Sequence, residues 1–358
     1  MAQVSKALVL CGGKGTRLRP LTHTMAKQLV PVANRPVLHY VMQHLADVGI
    51  TQVGIIISPE TGHQIRESLA ANPWGFTFHF IVQDEPRGLA HAVVVARPFL
   101  GDDPFVMYLG DNLLGAGIQE LVGNFVAASA DAAILLKEVP NPQAFGVAEV
   151  DSAGRVVGLI EKPQVPPSNL ALVGAYTFSP AIHRAIGAIQ PSWRGELEIT
   201  DAIRQVLEWG GTVQSSVLES WWLDTGKKDD LLEANRVVLD EYARHKIDGE
   251  VSEDTRLFGR VTIDRGARLQ NCVIRGPVVI GENTQVENSF IGPFTSIGQG
   301  CRIIDSSIEH AVLLDGAIVS GIARLEDSII GQQAIVRKAD GRHSVLRLAL
   351  GDDSEVIL

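Results

Sequence analysis

The chain has 358 residues, more than one compact core usually holds, so two domains are expected. Hydrophobic residues make up 46% and charged residues 20%, as in an ordinary globular protein, and no apolar run reaches the roughly 18–20 residues that cross a bilayer. The net charge of −10, without a cluster of Lys and Arg, argues against nucleic-acid binding. No signal-peptide pattern is present, which predicts a cytoplasmic protein without nucleic-acid or membrane partners.

Up to about residue 240, short apolar runs alternate with longer amphipathic stretches. The apolar runs are typical of strands that are buried on both faces of a helix-covered sheet. They occupy Lys6–Cys11, Val53–Ile57, Phe78–Val82, Phe105–Leu109 and Ala132–Leu136. Between the first two runs, residues 35–48 carry apolar side chains at helical spacings of three and four. This part of the chain is predicted to be α/β.

The first predicted strand leads into a glycine-rich segment, residues 11–18, which reads CGGKGTRL. Its glycines let the backbone approach a polyphosphate and point N–H groups at the oxygens, and Arg17 can add a bidentate contact. The two best-known phosphate loops do not fit, because Leu18 replaces the third glycine of the dinucleotide fingerprint and Gly15 replaces the Ser or Thr of the P-loop. Taken alone, the segment could also be a glycine turn without catalytic meaning.

Two aspartates occupy positions that suit metal binding. Asp111 follows the predicted strand Phe105–Leu109, at the carboxyl end where ligands of α/β proteins usually bind, whereas Asp224 lies in a Trp-rich turn. If both carboxylates converge, their oxygens would hold Mg²⁺ and bridge phosphates. Each aspartate alone could also be a simple turn residue. The ten histidines form no metal-binding pattern.

From about residue 251, aliphatic residues recur at steps of five or six. Three short strands per coil, each with one inward aliphatic side chain, produce such a pattern in a parallel β-helix. The alternative is a β-sandwich with aliphatic runs that recur by chance. Such a fold would not produce three series of aliphatic residues that all repeat at the same 17-residue interval. After about residue 318 the phase loosens, since Ser320 occupies an expected aliphatic position, and residues 341–358 are predicted to form an edge strand or a cap. The three 17-residue series are Leu257, Ile274, Ile291, Ile308 and Leu325; Ile263, Ile280, Ile297 and Leu314; and Leu269, Val286 and Ile303.

The segment GGKGTRLRPLTHTMAKQLVPV, residues 12–32, resembles the signature of the sugar-1-phosphate nucleotidylyltransferases, and within them the glucose-1-phosphate thymidylyltransferases. Further segments extend this resemblance in the expected order, from about Lys6 to Leu239. The added β-helix makes the chain similar to the long actinobacterial form of the enzyme, found in deoxysugar and antibiotic pathways. The further segments are Gln83–Ala90, Leu109–Asn112, Phe145–Val147, Glu161–Pro163, Val173–Tyr176, Arg194–Asp201 and Trp222–Gly226.

The resemblance implies a Rossmann-like nucleotidyltransferase domain with a mixed central sheet over residues 1–245. It also implies a left-handed parallel β-helix of hexapeptide-like repeats, with a C-terminal tail, over residues 246–358. The implied reaction is in-line attack of glucose 1-phosphate on the α-phosphorus of dTTP, assisted by Mg²⁺, which gives dTDP-glucose and pyrophosphate. Because the nucleophile is already an anion, catalysis should depend on positioning and on cations rather than on a general base.

The resemblance also assigns roles to individual residues. Catalysis is expected of Arg17, Lys27, Asp111 and Lys162, with Asp111 and Asp224 as metal ligands. Cys11 stands where alanine is common in the family and is interpreted as inert. The expected nucleotide-binding residues are Leu10, Gly12, Gly13, Gly15, Thr16, Arg17, Lys27, Gln28, Gln83, Pro86, Gly88 and Asp111. The expected sugar-phosphate-binding residues are Asn112, Gly146, Glu161, Lys162, Val173, Tyr176, Arg194 and Trp222.

Three alternative functions remain at this point. A UTP-dependent uridylyltransferase would share the fold and differ in the nucleotide. A bifunctional enzyme could use His310, inside the regular coils, for acyl transfer. A non-catalytic relative could lose its cations and carboxylates freely, whereas this chain retains them. The β-helix is also expected to pack against a copy of itself, which predicts a homo-oligomer.

Overall fold

The computed structural model describes residues 4–13, 15–152, 155–226, 228–339 and 352–357. The chain packs as two compact units: the first contains residues 1–14, 25–29 and 37–224, and the second contains residues 15–24, 30–36 and 225–358. Lys14 of the glycine-rich segment and most of the predicted C-terminal edge strand lie outside the described residues. The boundary predicted after residue 245 stays a prediction. Within the described ranges, no helix is both long and apolar enough to span a membrane.

The helices and strands that precede the coils alternate along the chain. In chain order they are β1 (Lys6–Cys11), β2 (Pro31–Val32), β3 (Arg35–Pro36), α1 (Val37–Asp47), β4 (Gln52–Ile57), α2 (Gly62–Ser68), β5 (Thr77–Val82), α3 (Leu89–Val95), α4 (Arg97–Leu100), β6 (Phe105–Leu109), β7 (Asn112–Leu114), α5 (Gln119–Ala128), β8 (Ala132–Glu138), β9 (Gly146–Val150), β10 (Val156–Glu161), β11 (Leu170–Phe178), α6 (Ala181–Ile186), α7 (Ile199–Glu208), β12 (Val213–Val217), β13 (Trp222–Asp224) and α8 (Lys228–Tyr242).

The first unit is built on a mixed sheet whose strand order is β10-β9-β11-β6-β1-β4-β5, with β8 between β11 and β12. Strand β1 is parallel to β4 and β6, whereas β11 is antiparallel to β6. The chain moves outward from β1 to β4 and β5, and then returns to β6 on the other side of β1. Ligands of open α/β sheets bind at the carboxyl ends of strands that flank such a reversal. The predicted Rossmann-like mixed sheet is confirmed.

The central strands are apolar throughout because both of their faces are covered. In β1, Val9 and Cys11 join one core cluster while Leu8 joins the other, on the opposite face. Strand β5 corrects the prediction that every apolar run is buried on both faces. It lies at the edge of the sheet, its residues alternate in exposure, and Val82 is 45% exposed. Aromatic residues at an edge resemble core residues in sequence, which explains the error.

The second unit contains the predicted coils as three parallel sheets, with orders β14-β17-β20-β23-β26-β28, β15-β18-β21-β24-β27-β29 and β16-β19-β22-β25. These are the faces of a left-handed parallel β-helix, with the predicted aliphatic residues other than Leu314 packed inside it. The strands are β14 (Lys246–Ile247), β15 (Glu250–Val251), β16 (Arg256–Phe258), β17 (Val261–Ile263), β18 (Arg268–Gln270), β19 (Val273–Arg275), β20 (Val278–Ile280), β21 (Gln285–Glu287), β22 (Phe290–Ile291), β23 (Thr295–Ile297), β24 (Arg302–Ile304), β25 (Ser307–Ile308), β26 (Ala311–Leu313), β27 (Ile318–Ser320), β28 (Ser328–Ile330) and β29 (Ile335–Arg337).

One coil is a residue shorter than the predicted 17. Ile297 pairs with Leu313, so the prediction that Leu314 is the inward residue of this series was wrong. The missing residue falls at a corner: five positions separate Ile308 from Leu313, whereas six separate Ile291 from Ile297. Leu313 belongs to the interior cluster of the β-helix.

The same shift explains the apparent loss of phase near Ser320. Ile303 pairs with Val319, which is fully buried, and Ser320 pairs with Ile304 outside the interior. The repeat therefore continues past residue 318, displaced by one position.

This register predicts opposite outcomes for two neighbouring substitutions. Val319→Asp places an unpaired carboxylate in the interior, and we expect it to lower the free energy of unfolding by at least about 3 kcal/mol. Ser320→Asp should lower it by less than about 1 kcal/mol, because Ser320 lies outside the interior cluster. Urea unfolding followed by circular dichroism measures both, and equal losses would show that the register is wrong.

Candidate functional site

The carboxyl ends of β1 and β6 lie side by side, with Leu10 opposite Leu109 in the parallel register. The Gly110 N–H donates to the carbonyl oxygen of Leu10, at 3.0 Å, and extends this pairing. A Cβ at Gly110 would come within 2.7 Å of the Cys11 Sγ and within 3.0 Å of that oxygen. Only glycine therefore fits at position 110, where the two strand ends are closely packed. Gly12 follows one of these strands and Asp111 follows the other.

Lys27 and Asp111 form an ion pair at these strand ends. Their side chains are only 17% and 8% exposed. Lys27 begins a short 3-10 turn, Lys27–Leu29, and a Cβ at Gly13 would lie 3.5 Å from its Cε atom. The structure therefore brings together a glycine of the loop, a cation and a carboxylate, and their roles at the nucleotide stay predictions.

Asp224 reaches the same end of the sheet through a strand pair. Strand β13 runs antiparallel to β7, with Asp224 opposite Asn112. The Asn112 Nδ2 donates to Asp111 Oδ1 at 3.1 Å, and its Oδ1 accepts from Trp222 Nε1 at 2.7 Å. Asp224 thus lies on a short strand rather than in the predicted turn. This pairing places Asp224 beside the residue that follows Asp111.

Gln28 and Cys11 are buried beneath the strand ends. Gln28 is 1% exposed, and its Oε1 has no hydrogen-bond partner among the described residues. Burial raises the pKa of the Cys11 thiol, the charge of Asp111 raises it further, and Lys27 opposes both effects. The thiol is therefore protonated at neutral pH, which agrees with the interpretation of Cys11 as inert.

Gln83 and Gly88, both expected to bind the nucleotide, lie in the loop between β5 and α3. Gln83 is buried, and its Nε2 lies 2.9 Å from Nδ1 of His91. Gly88 has a φ of +102°, and a Cβ there would come within 2.7 Å of the Leu197 backbone nitrogen. Only glycine can take this conformation at this distance. Pro86, between them, is exposed.

Sequence reasoning missed His91. The available signal was a single polar residue in the otherwise apolar helix LAHAVVV. A lone polar residue on a helix is more often exposed than functional, so only its contact with Gln83 shows its importance.

The expected sugar-phosphate residues gather around Glu161. Strand β9 pairs with β10 so that Gly146 lies opposite Glu161, and Thr200 Oγ1 donates to Glu161 Oε2 at 3.1 Å. Lys162 Nζ lies 3.7 Å and Arg194 Nη1 lies 3.8 Å from the other carboxylate oxygen. Two cations therefore converge on one carboxylate, a group whose hydrogen-bonding capacity suits a sugar hydroxyl.

The backbone at Lys162 is unusual for a side chain of its size. Its φ is +42°, in the left-handed region, and its N–H donates to the Phe145 carbonyl oxygen at 3.0 Å. Such conformations cost energy and are concentrated at functional sites. Arg194 is held differently, by Glu196 at 2.8 Å and by Glu198 at 3.3 Å.

Of the remaining expected sugar-side residues, Val173 and Tyr176 belong to core clusters on opposite faces of the sheet, so the structure does not bring their side chains together. Val173 and Tyr176 are buried in β11. Burial raises the pKa of the Tyr176 phenol, and the charge of Glu161 adds to the effect, so the phenol is neutral. The rings of Phe145 and Trp222 have centroids 5.0 Å apart.

Gly15, Thr16 and Arg17 belong to the second compact unit. Gly15 has a φ of +63°, and its carbonyl oxygen accepts from the Leu18 N–H at 3.0 Å and from Thr22 Oγ1 at 2.6 Å. The side chain of Arg17 is exposed on the 3-10 turn Thr16–Leu18. The expectation that Arg17 joins Lys27 at the triphosphate stays a prediction.

Gly146 offers a test of the sugar side. A Cβ there would lie 2.7 Å from Thr200 Cγ2 and 3.1 Å from Glu161 Oε2, so Gly146→Ala should displace Glu161. We expect kcat/KM for the sugar phosphate to fall about 5- to 150-fold, the range that overpacking by roughly 1–3 kcal/mol produces. In the same hairpin, a Cβ at Gly158 would meet only the side chain of Glu149, at 3.3 Å, which makes Gly158→Ala the control. Equal effects of the two variants would show that Gly146 has no special role.

Comparison with known proteins agrees with this geometry. Residues 6–241 match the model of the nucleotidyl transferase family. The chain is 50% identical, over 98% of its length and 99% of the relative's, to a glucose-1-phosphate thymidylyltransferase of Streptomyces antibioticus. It is 48% identical to one of Streptomyces griseus, with 98% of each chain covered.

A solved structure supports the fold. It is a Bacillus anthracis protein assigned as a glucose-1-phosphate thymidylyltransferase and crystallised with sucrose, 33% identical to this chain. The aligned region covers 65% of this chain and 94% of the Bacillus anthracis chain, with a TM-score of 0.61. A mixed sheet with cations and carboxylates at its reversal point is the framework of a nucleotidyltransferase. The chain belongs to the nucleotidyl transferase family, and within it to the glucose-1-phosphate thymidylyltransferases.

Proposed function

We propose that this protein transfers a thymidylyl group from dTTP to glucose 1-phosphate and releases pyrophosphate. The observation that carries the proposal is the ion pair between Lys27 and Asp111 at the closely packed ends of β1 and β6. A partly buried cation and a buried carboxylate beside a glycine loop suit a triphosphate, and the cation pair around Glu161 suits a sugar phosphate. The high identity to the Streptomyces enzymes supports the choice of both substrates.

The chain's own residues would act by positioning and by charge. Lys162, with Arg194 beside it, would hold the phosphate of glucose 1-phosphate so that one oxygen faces the α-phosphorus. Lys27 and Arg17 would neutralise the charge that grows on the departing pyrophosphate. Cations that are already in place need not reorganise during the reaction, and such preorganisation is a large part of the rate enhancement in phosphoryl transfer.

Asp111 and Asp224 are the residues that would hold Mg²⁺. Their carboxylates are hard oxygen donors, and the choice is supported by the pairing of β13 with β7, in which Asp224 lies opposite the residue that follows Asp111. The described residues contain no group of three or more His, Cys, Asp or Glu that could hold a metal. Two carboxylates, with phosphate oxygens and water completing the shell, form the arrangement that Mg²⁺ prefers. When bound, the ion would neutralise phosphate charge.

The preference for thymine over uracil decides between the proposed reaction and uridylyl transfer. A methyl group in an apolar pocket is worth about 1–3 kcal/mol, so partial use of UTP is expected. A competition assay with equal dTTP and UTP, with the nucleotide sugars separated by chromatography, measures the ratio. An excess of dTDP-glucose supports the proposal, whereas an excess of UDP-glucose would replace it with the uridylyltransferase.

Acyl transfer at His310 is not favoured by its surroundings. Its Nδ1 lies 2.5 Å from Asp327 Oδ1, while its Nε2 is buried and has no hydrogen-bond partner among the described residues. A buried nitrogen cannot take a proton from an incoming acceptor.

The predicted homo-oligomer and the cytoplasmic location stay predictions. The oligomer can be tested by comparing the masses in solution of the full chain and of residues 1–245.

A further inference from the structure

Gln83, whose side chain borders Gly12 of the glycine-rich segment, is joined to His91 by one hydrogen bond. The Gln83 Nε2 donates to His91 Nδ1 at 2.9 Å. The opposite end of the amide faces the loop, because a Cβ at Gly12 would lie 3.4 Å from Gln83 Oε1. Gln83 is 9% exposed, so its amide is enclosed by the protein. The described residues donate no hydrogen bond to its Oε1.

The orientation of the Gln83 amide determines which groups of a ligand it can bind. An amide side chain has a donor end and an acceptor end, and the end that faces a ligand decides which partner it can bind. Because Nε2 faces His91, the end that faces Gly12 is the acceptor Oε1. The imide nitrogen N3 of thymine or uracil carries a hydrogen, whereas N3 of cytosine carries a lone pair. An acceptor at this position therefore matches thymine and uracil and repels cytosine.

The state of His91 decides whether this orientation holds. A neutral imidazole can accept at Nδ1 while Nε2 carries the proton, but an imidazolium has no acceptor. Burial lowers the pKa of His91, and Arg87 lowers it further, against a smaller opposite effect of Glu85. Arg87 is paired with Glu85 through its Nε, at 2.6 Å. His91 is therefore neutral at pH 7 and able to accept.

We propose that His91 is a positioning residue that fixes the Gln83 amide, so that its oxygen accepts the N3 hydrogen of thymine or uracil and excludes cytosine. The inference rests on the proposed nucleotide transfer and extends it to a residue that the family resemblance did not mark. His91 does not touch the base. It acts only by holding the donor end of Gln83.

Selectivity among three nucleotides tests the proposal. Steady-state kinetics of the full chain with dTTP, UTP and dCTP at pH 8 should show that wild type rejects dCTP by at least about 1,000-fold, as expected for a site built to bind one hydrogen. His91→Leu removes the acceptor and frees the amide. We expect KM for dTTP to rise about 10-fold and the preference over dCTP to fall by a similar factor, with KM for glucose 1-phosphate unchanged.

Two further measurements separate positioning from a merely structural role. His91→Gln supplies another side-chain acceptor and should restore the preference over dCTP. In wild type, KM for dTTP should rise when the pH falls below the lowered pKa of His91, because protonated His91 cannot accept from Gln83, and this rise should be absent in His91→Gln. The wild-type pH profile needs no variant to fold, and thermal unfolding checks that His91→Leu is folded.

Each outcome is informative. If His91→Leu keeps the wild-type KM and selectivity, or raises KM for both substrates alike, the positioning role is wrong. If His91→Leu instead has a lower KM for dTTP than wild type, the amide has the opposite orientation. If wild type itself does not use dTTP, the proposed function fails first, and the inference fails with it.

Discussion

Asp111→Asn is expected to reduce the turnover number by about 1,000-fold or more while the protein remains folded. The Asp111 carboxylate is 8% exposed, pairs with Lys27 and accepts a hydrogen bond from Asn112. The neutral amide of asparagine removes the negative charge that would bind the metal ion. Losses of this size follow the removal of one preorganised electrostatic group at a reacting centre. Pyrophosphate release measured over a range of Mg²⁺ concentrations gives the turnover number and the metal dependence together.

Asp103→Asn is the matched control. Asp103 precedes β6, at the end opposite the site, where it pairs with Lys6 and is 60% exposed. An exposed ion pair contributes about 0–1 kcal/mol, so this variant should retain wild-type kinetics. If Asp111→Asn lost less than about 10-fold in turnover, or behaved like Asp103→Asn, Asp111 could not be the metal-binding and charge-organising residue that the site requires.

Lys162→Met is expected to raise KM for glucose 1-phosphate by about 100-fold and to leave KM for dTTP within a few-fold of wild type. The ammonium is one of two cations beside Glu161, and a charged hydrogen bond to phosphate is among the stronger polar contacts in proteins. Methionine keeps most of the side-chain volume without the charge. A rise in KM for one substrate alone is the sign of a lost binding contact rather than of a damaged fold.

Arg155→Met provides the comparison. Arg155 comes directly before β10, the strand that carries Glu161, and its only ion-pair partner among the described residues is Asp151. Its side chain is 80% exposed. The variant should behave as wild type. If Lys162→Met raised KM for dTTP instead, Lys162 would belong to the nucleotide side, and the division of the site into two cation groups would be wrong.

The parts of the fold that could be predicted are those whose packing is repeated along the chain. Strands β1 and β6 are buried on both faces, so their composition alone marks them, and the predicted bounds match those observed. The coils repeat because each stacks on the next. Their prediction failed only where a corner loses one residue and Leu313 replaces Leu314, since a fixed interval cannot anticipate a local deletion.

The parts of the site that could not be predicted depend on contacts between distant segments. The place of Asp224 beside Asn112 depends on a three-residue strand pair, which leaves no periodic pattern in the sequence. The partner of Gln83 could not be anticipated either. His91 is the third residue of a short helix, and its contact with the amide depends on the conformation of the loop before that helix. Resemblance to a family supplied the candidate residues, whereas the structure supplied their contacts.

Pyrophosphate release by the full-length protein, across a panel of nucleoside triphosphates and sugar 1-phosphates with and without Mg²⁺, is the most direct test of the proposed reaction. The predicted result is Mg²⁺-dependent release that is fastest with dTTP and glucose 1-phosphate together and is lost when either is omitted. Release that needs no sugar phosphate, or a strong preference for another nucleotide or sugar phosphate, would contradict thymidylyl transfer to glucose 1-phosphate.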